Sequence, residues 1–338
     1  MGGQVQTDST PALVTQSAPI TPAATSKKLI ALHDAERDHM KNKSFPNFAL
    51  MKISAYHKAQ GDSVEWWNAL YNDQYSAVYS SKIFDFTPEN MYLPPDTIKG
   101  GTGYSVTADP GRNILAELPP EIDSCFPDYS IYPDCDYAIG YITRGCPNRC
   151  GWCVVPAKEG NIRPYAHWRD IVRNDTNKLV LMDNNILACE YGITQLAELA
   201  ATDYRLDLNQ GMDARLVTER IADIIASLKW IKYIRFSCDS IPQIEAIENA
   251  TAMLARRGVK PSRLFVYLLV TKDLENADYR VQRLKQLKVS IYAQAERNPS
   301  QGIMPNAAQK EFCHRYIYGR SYKKETWPEY CKIRGLIF

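Results

Sequence analysis

The chain has 338 residues, enough for roughly two domains with a substantial core. Apolar residues make up 45% and charged residues 23%, an ordinary globular balance, and a net charge of +2 excludes a global attraction to polyanions. Nine cysteines are an odd set that does not form a small secreted framework, which points to a reducing cytosol. No apolar run approaches the roughly 18 residues that span a bilayer.

Residues 1–27 are rich in Thr, Ser, Pro, Ala and Gln with little to bury, and read as a disordered leader. Residues 28–124 carry a small α/β pattern. Leu29 to Leu32 is a short buried strand, and a helix beginning at Pro46 repeats apolar residues through Tyr56 and stops at Gly61. Val64 to Trp67 and Ala77 to Tyr79 read as further strands, and Gly100 to Gly103 as a glycine loop. His39 reads as an exposed loop histidine.

The third piece, 125–298, opens with a Pro- and Asp-rich connector and then a strand over 137–142. That strand empties into a loop bearing Cys146, Cys150 and Cys153, spaced C-x-x-x-C-x-x-C, with Trp152 before the last thiol. Pro147 and Gly151 are the residues expected to let the loop curl, so that three sulfurs converge. Three thiolates are one short of a closed zinc site. Either an iron–sulfur cluster keeps one iron open, or a zinc ion borrows a fourth ligand such as Cys135 or Cys189.

Beyond the loop, strands and helices alternate, as in a parallel sheet. The strands are expected at Lys178 to Asp183, Arg205 to Asn209, Tyr233 to Ser237, Leu264 to Val270 and Val289 to Gln294, with helices near 166–174, 193–201, 217–228, 241–257 and 278–287. Polar residues crowd the strand ends, at Asp183-Asn184-Asn185, Asn209 to Arg215, and Ser237-Cys238-Asp239. Helix capping is the plain alternative for Asp213, Thr218, Asp239 and Ser240. Cys189 and Cys238 read as small buried residues. The last piece, 299–338, interleaves cations and rings from Arg315 to Lys332. Such a segment suits either packing on the core or contact with nucleic acid.

The C-x-x-x-C-x-aromatic-C loop after a strand resembles the signature of radical S-adenosylmethionine (SAM) enzymes. That resemblance implies an α/β fold in which a partial (β/α)6 barrel is preceded by a small Rossmann-like domain. It also implies a [4Fe–4S] cluster on Cys146, Cys150 and Cys153, SAM chelated to the open iron, and an external flavodoxin- or ferredoxin-like electron donor. By position in the barrel, Asn184 and Asn185 would meet the SAM amino group, Arg215 its carboxylate, Ser237 the ribose and Trp152 the adenine. Residues 28–124 resemble the cobalamin-binding domain of one group within the family, but lack its D-x-H-x-x-G ligating motif, so an empty or repurposed domain is expected.

Thr143-Arg144-Gly145-Cys146 through Cys153-Val-Val-Pro156, with Gly160, is also similar to the loop of tRNA methylthiotransferases. Those enzymes bind a second cluster on an amino-terminal domain, whereas no cysteine precedes Cys125 here. Three classes therefore stand: a radical enzyme on an unidentified substrate, a methylthiotransferase-like RNA modifier, and a non-catalytic metal-binding module.

Overall fold

The computed structural model describes residues 27–40, 45–105, 114–115, 117–317 and 324–337. The expected leader lies outside them but for its last residue. The first unit is a parallel sheet. Strand β1 (Leu29–Asp34) is buried along nearly its whole length. Its last residue, Asp34, accepts from the amides of Glu36 and Arg37 at 3.1 Å and so caps helix α1 (Ala35–His39). His39 ends that helix, exposed. Helix α2 (Phe48–Ala59) is capped by Asn47, whose side chain accepts from the Leu50 amide at 3.2 Å; Pro46 sits just outside. Strands β2 (Ser63–Trp66), β3 (Ala77–Ser81), β4 (Ile98–Gly100) and β5 (Ile114–Leu115) complete a sheet ordered β2-β1-β3-β4-β5 with every pair parallel. This order is common among doubly wound α/β sheets. The residues expected as a glycine loop are shared between β4 and the short helix α3 (Thr102–Ser105). Gly101, at φ +97°, makes the turn between them, where a β-carbon would meet the Lys82 carbonyl oxygen.

Helix α4 (Pro120–Asp123) leads to the second unit. Strand β6 (Ala138–Gly140) is followed by a two-stranded antiparallel ribbon, β7 (Thr143–Arg144) with β8 (Arg163–Pro164), which brackets the cysteine loop and its short helix α5 (Val155–Lys158). Strands β9 (Lys178–Leu181), β10 (Arg205–Leu208) and β11 (Lys229–Trp230) join β6 in a parallel sheet, and β12 (Ile234–Cys238), β13 (Leu264–Val270) and β14 (Ser290–Ala295) form another. Met212 bridges the two: its amide donates to the Arg235 carbonyl at 2.8 Å, and its carbonyl accepts from the Ser237 amide at 3.2 Å. Each of the six expected strands is present, and they follow one another in chain order.

The helices between them are α6 (Glu190–Ala200), α7 (Glu219–Ser227), α8 (Pro242–Arg256) and α9 (Leu274–Gln286). The helix expected near 166–174 is reduced to one 3-10 turn, Trp168–Asp170, because the Trp168 indole and amide are drawn to Glu198 and Gln195 of α6. In the tail, α10 (Ala307–Arg315) and α11 (Trp327–Arg334) both open with reciprocal capping boxes. Phe312, Tyr316 and Trp327 are buried on the core, and the Arg315 guanidinium lies 4.0 Å over the Tyr330 ring. Packing thus accounts for these rings, while Tyr318, Arg320 and Tyr322 lie outside the described residues. Among the described residues no helix is long and apolar enough to cross a membrane.

Alternation along the strands sorts the core into two faces. Ala138, Leu179, Leu181, Leu206, Leu208 and Phe236 turn toward the helices of the second unit. Ile139 and Met182 turn the other way and are covered by Met51 of α2, fully buried. The amino-terminal unit therefore packs on the sheet through a helix that belongs to its own fold.

Candidate functional site at the cysteine loop

The loop carrying the three cysteines has a closed neck. Gly145 adopts φ +83°, and a β-carbon there would lie 2.8 Å from the Gly160 carbonyl oxygen and closer still to that of Asn161. Only glycine tolerates this approach. The Cys146 amide donates to the Gly160 carbonyl at 3.2 Å, and the Cys153 amide to that of Cys150 at 3.0 Å. Gly151, expected to let the loop curl, has open space where its β-carbon would be. Gly145 is the glycine the geometry requires.

Glu159, at the end of α5, fills the neck. Its carboxylate accepts from Arg144 Nε (2.9 Å) and Nη2 (3.0 Å), the Gly145 amide (3.1 Å) and Asn184 Nδ2 (2.8 Å). Among its causes of pKa change, burial raises it and is outweighed by Arg144 and the Gly145 amide, so the carboxyl is held below its usual range.

Cys146 and Cys150 are half-buried and Cys153 is exposed, all as free thiols. Burial pushes the Cys150 thiol up, followed by the charges of Cys153, Asp239 and Cys146; Arg215 opposes them. Cys153 is likewise raised by burial and then by Cys146 and Asp239. The three thiols thus share one space with a carboxylate. They do not converge on one point as expected: among the described residues no three His, Cys, Asp or Glu side chains gather closely enough to hold a single ion. Cys135, one candidate for a fourth zinc ligand, is buried and donates its thiol to the Tyr137 carbonyl at 3.3 Å. A polynuclear cluster places each thiolate on its own iron, so spread thiols on one loop are compatible with it.

The polar strand ends take up distinct roles. Asp183 turns back from the site and accepts from the Ile142 amide (3.1 Å), the Thr143 hydroxyl (2.7 Å) and the Thr143 amide, tying the end of β6 to β9. Burial pushes its carboxyl up to about 6 against those donors. Asn184 and Asn185 do face the loop. Asn185 is buried, its Nδ2 lies 3.7 Å from the Cys146 sulfur, and its buried Oδ1 has no hydrogen-bond partner among the described residues. Arg215 is in place, but its fork is engaged: Nε and Nη2 donate to Asp213 at 2.8 and 2.6 Å. Asp213 also accepts from Asn148 of the loop at 3.2 Å. Ser237 lies on β12, half-buried, and Trp152 is 36% exposed on the loop.

One residue not singled out in the sequence joins the set: Glu159 precedes an ordinary-looking Gly160, and only the folded neck reveals it. Asp239, read in the sequence as a strand-end residue or a cap, follows β12, and burial raises its carboxyl to about 6, opposed by Arg280. The amino-terminal unit reaches the same loop, with Lys158 Nζ donating to Thr102 Oγ1 at 2.7 Å. Asn298 Nδ2 donates to the Gly151 carbonyl at 3.4 Å, and the neighbouring Arg297 pairs with Asp85 at 2.7 Å.

At the carboxyl ends of β1 and β3 the amino-terminal sheet is filled by its own side chains. Ser80 Oγ is 2.8 Å from both His33 Nδ1 and the Tyr104 hydroxyl, and Asn47 Nδ2 donates to Ser81 Oγ at 2.8 Å. Glu36 accepts from the Ile83 amide at 2.9 Å and the Phe84 amide at 3.1 Å. His33, Glu36 and Lys82 are all buried. These residues do not fit the tail of a cobalamin, which would have to displace them.

No protein-family model matches the chain, and no curated protein matches it.

Proposed function

We propose that the chain is a radical SAM enzyme acting on an unidentified substrate, built on a partial (β/α)6 barrel with a cobalamin-free Rossmann-like domain before it. The observation that carries this reading is the closed-neck loop. Three thiols hang from it beyond the carboxyl end of β6, the first of the six strands expected from the sequence, and chemistry collects at such ends in parallel barrels. The chain-order succession of those strands supports the barrel, although their ladder is interrupted between β10 and β12. When bound by Cys146, Cys150 and Cys153, a [4Fe–4S] cluster supplies an electron and an open iron at which SAM is reductively cleaved.

The chain's own residues would bind and orient. Asn184 and Asn185 offer amide oxygens to an ammonium group. Arg215, braced by Asp213, brings a cation beside Cys150; its bidentate fork stays with Asp213 unless a ligand carboxylate displaces it. Trp152 offers a ring to adenine and Ser237 a hydroxyl to ribose. The amino-terminal unit meets the loop segment through Thr102, and its Asp85 pairs with Arg297 next to Asn298, which reaches Gly151, so it would help to exclude water there. An external flavodoxin- or ferredoxin-like donor would supply the electron.

The test is anaerobic. Reconstituted, reduced wild type with SAM should release 5′-deoxyadenosine and carry about four irons per chain, as one four-iron cluster requires. Cys150→Ala should release none. Zinc in place of iron–sulfur absorbance, or a loaded and reduced chain that never cleaves SAM, sinks the enzyme reading. Twice that iron would favour a methylthiotransferase-like second cluster.

A further inference from the structure

We propose that Glu159 is a positioning residue that couples closure of the cysteine loop to the orientation of Asn184, and thereby sets the affinity for SAM; this rests on the function proposed above. Three segments meet at its carboxylate. Arg144 and Gly145 enter the loop, Glu159 itself leaves it, and Asn184 comes from the end of β9. The Glu159 side chain is only 8% exposed, so solvent cannot substitute for those contacts.

The geometry at Asn184 decides which atom a ligand meets. An amide presents its NH2 and its oxygen in diverging directions. With Nδ2 held 2.8 Å from Glu159, the oxygen turns away from the neck as an acceptor, the polarity an ammonium group needs. Freed from Glu159, the amide could rotate and present donors, which an ammonium cannot use. The same carboxylate holds the Gly145 amide, one residue before Cys146, so the loop and the amide acceptor are set together.

The experiment uses the full chain as wild type, Glu159→Gln, Asn184→Ala and the double variant. Two quantities are read: SAM affinity of the reduced, cluster-loaded protein, from the change SAM makes in its paramagnetic resonance spectrum, and amide hydrogen exchange over 144–163 in the iron-free chain. Glu159→Gln should weaken SAM binding by about tenfold to a hundredfold, the usual range for residues that orient ligands from behind. It should also speed exchange at Gly145 and Cys146. Asn184→Ala should weaken SAM binding comparably while exchange at the neck stays as in wild type. The double variant should be no worse than the weaker single, because both act through one contact. SAM affinity within about twofold of wild type in either single variant, or fully additive losses, overturns the inference. A wild type that takes up no cluster overturns the enzyme reading and this inference with it; a loaded wild type beside an unaffected Glu159→Gln overturns the inference alone.

Discussion

Asp183 shows how one carboxylate can leave a site and become its frame. It sits in a strand-end cluster of polar residues, yet its oxygens are spent on the Ile142 amide and on the amide and hydroxyl of Thr143. Asp183→Asn would turn an NH2 toward at least one of those donors, so a loss of about 2 kcal/mol is expected in chemical denaturation. The pH dependence has a definite sign. The folded carboxyl is raised to about 6, above its ordinary 3.8. Its contribution is therefore fully present below pH 3.8 and lost as pH rises through about 6, on the order of 3 kcal/mol over that window. The stability gap between wild type and Asp183→Asn should narrow across the same window. A gap that widens instead would show that the three donors outweigh burial.

At the scale of the element, the cysteine loop depends on its neck more than on its tip. Gly145→Ala must relieve both a left-handed backbone and a clash with carbonyl oxygens of Asn161 and Gly160. A cost of about 1–3 kcal/mol and a loop unable to retain iron are expected, measured by thermal melting and by iron content after gel filtration. Gly151→Ala, with nothing near its β-carbon, should stay within about 0.5 kcal/mol of wild type. Equal effects of the two substitutions would contradict this account. The three-thiol spacing was legible in the chain itself, because ligand spacing is a local property. The glycine that closes the loop was not, since Gly145 is strained by residues on the far side of the neck.

Across the whole molecule, the junction of the two units runs through α2. Met51 is fully buried against Ile139 and Met182, and Lys52 beside it donates to the Tyr165 hydroxyl and to Asp123 Oδ1, each at 3.1 Å. Met51→Ala should destabilise the protein by about 2–5 kcal/mol, as large-to-small changes in packed cores do. It should also loosen both units together, so fluorescence and far-ultraviolet dichroism should report one shared shift in the denaturation midpoint. Two separated transitions, with only the first shifted, would mean that the units are not energetically joined.

The sequence by itself determined what is written in short-range pattern. Alternating apolar runs and helical stretches marked six of the strands of the second unit, and the run of thiols marked the loop. Of the residues read as capping candidates, Thr218 caps α7 and Asp213 caps a 3-10 turn at Ala214–Leu216, whereas α8 starts from Ile241 with no side-chain cap, so Asp239 and Ser240 do not take that role. Where propensity was weak the reading failed: β4, β5 and β11 are too short to show a period, and the helix expected near 166–174 yielded to Glu198 and Gln195 of α6. Only the tertiary structure decided the pairings across distance. Asp183 meets Ile142 from 41 residues away, and Asn184 meets Glu159 from 25. Asp213 takes Arg215 for itself while Asn148 reaches it from the loop. A polar side chain carries no local mark of which buried donor it will meet, because that choice follows from how whole elements are stacked.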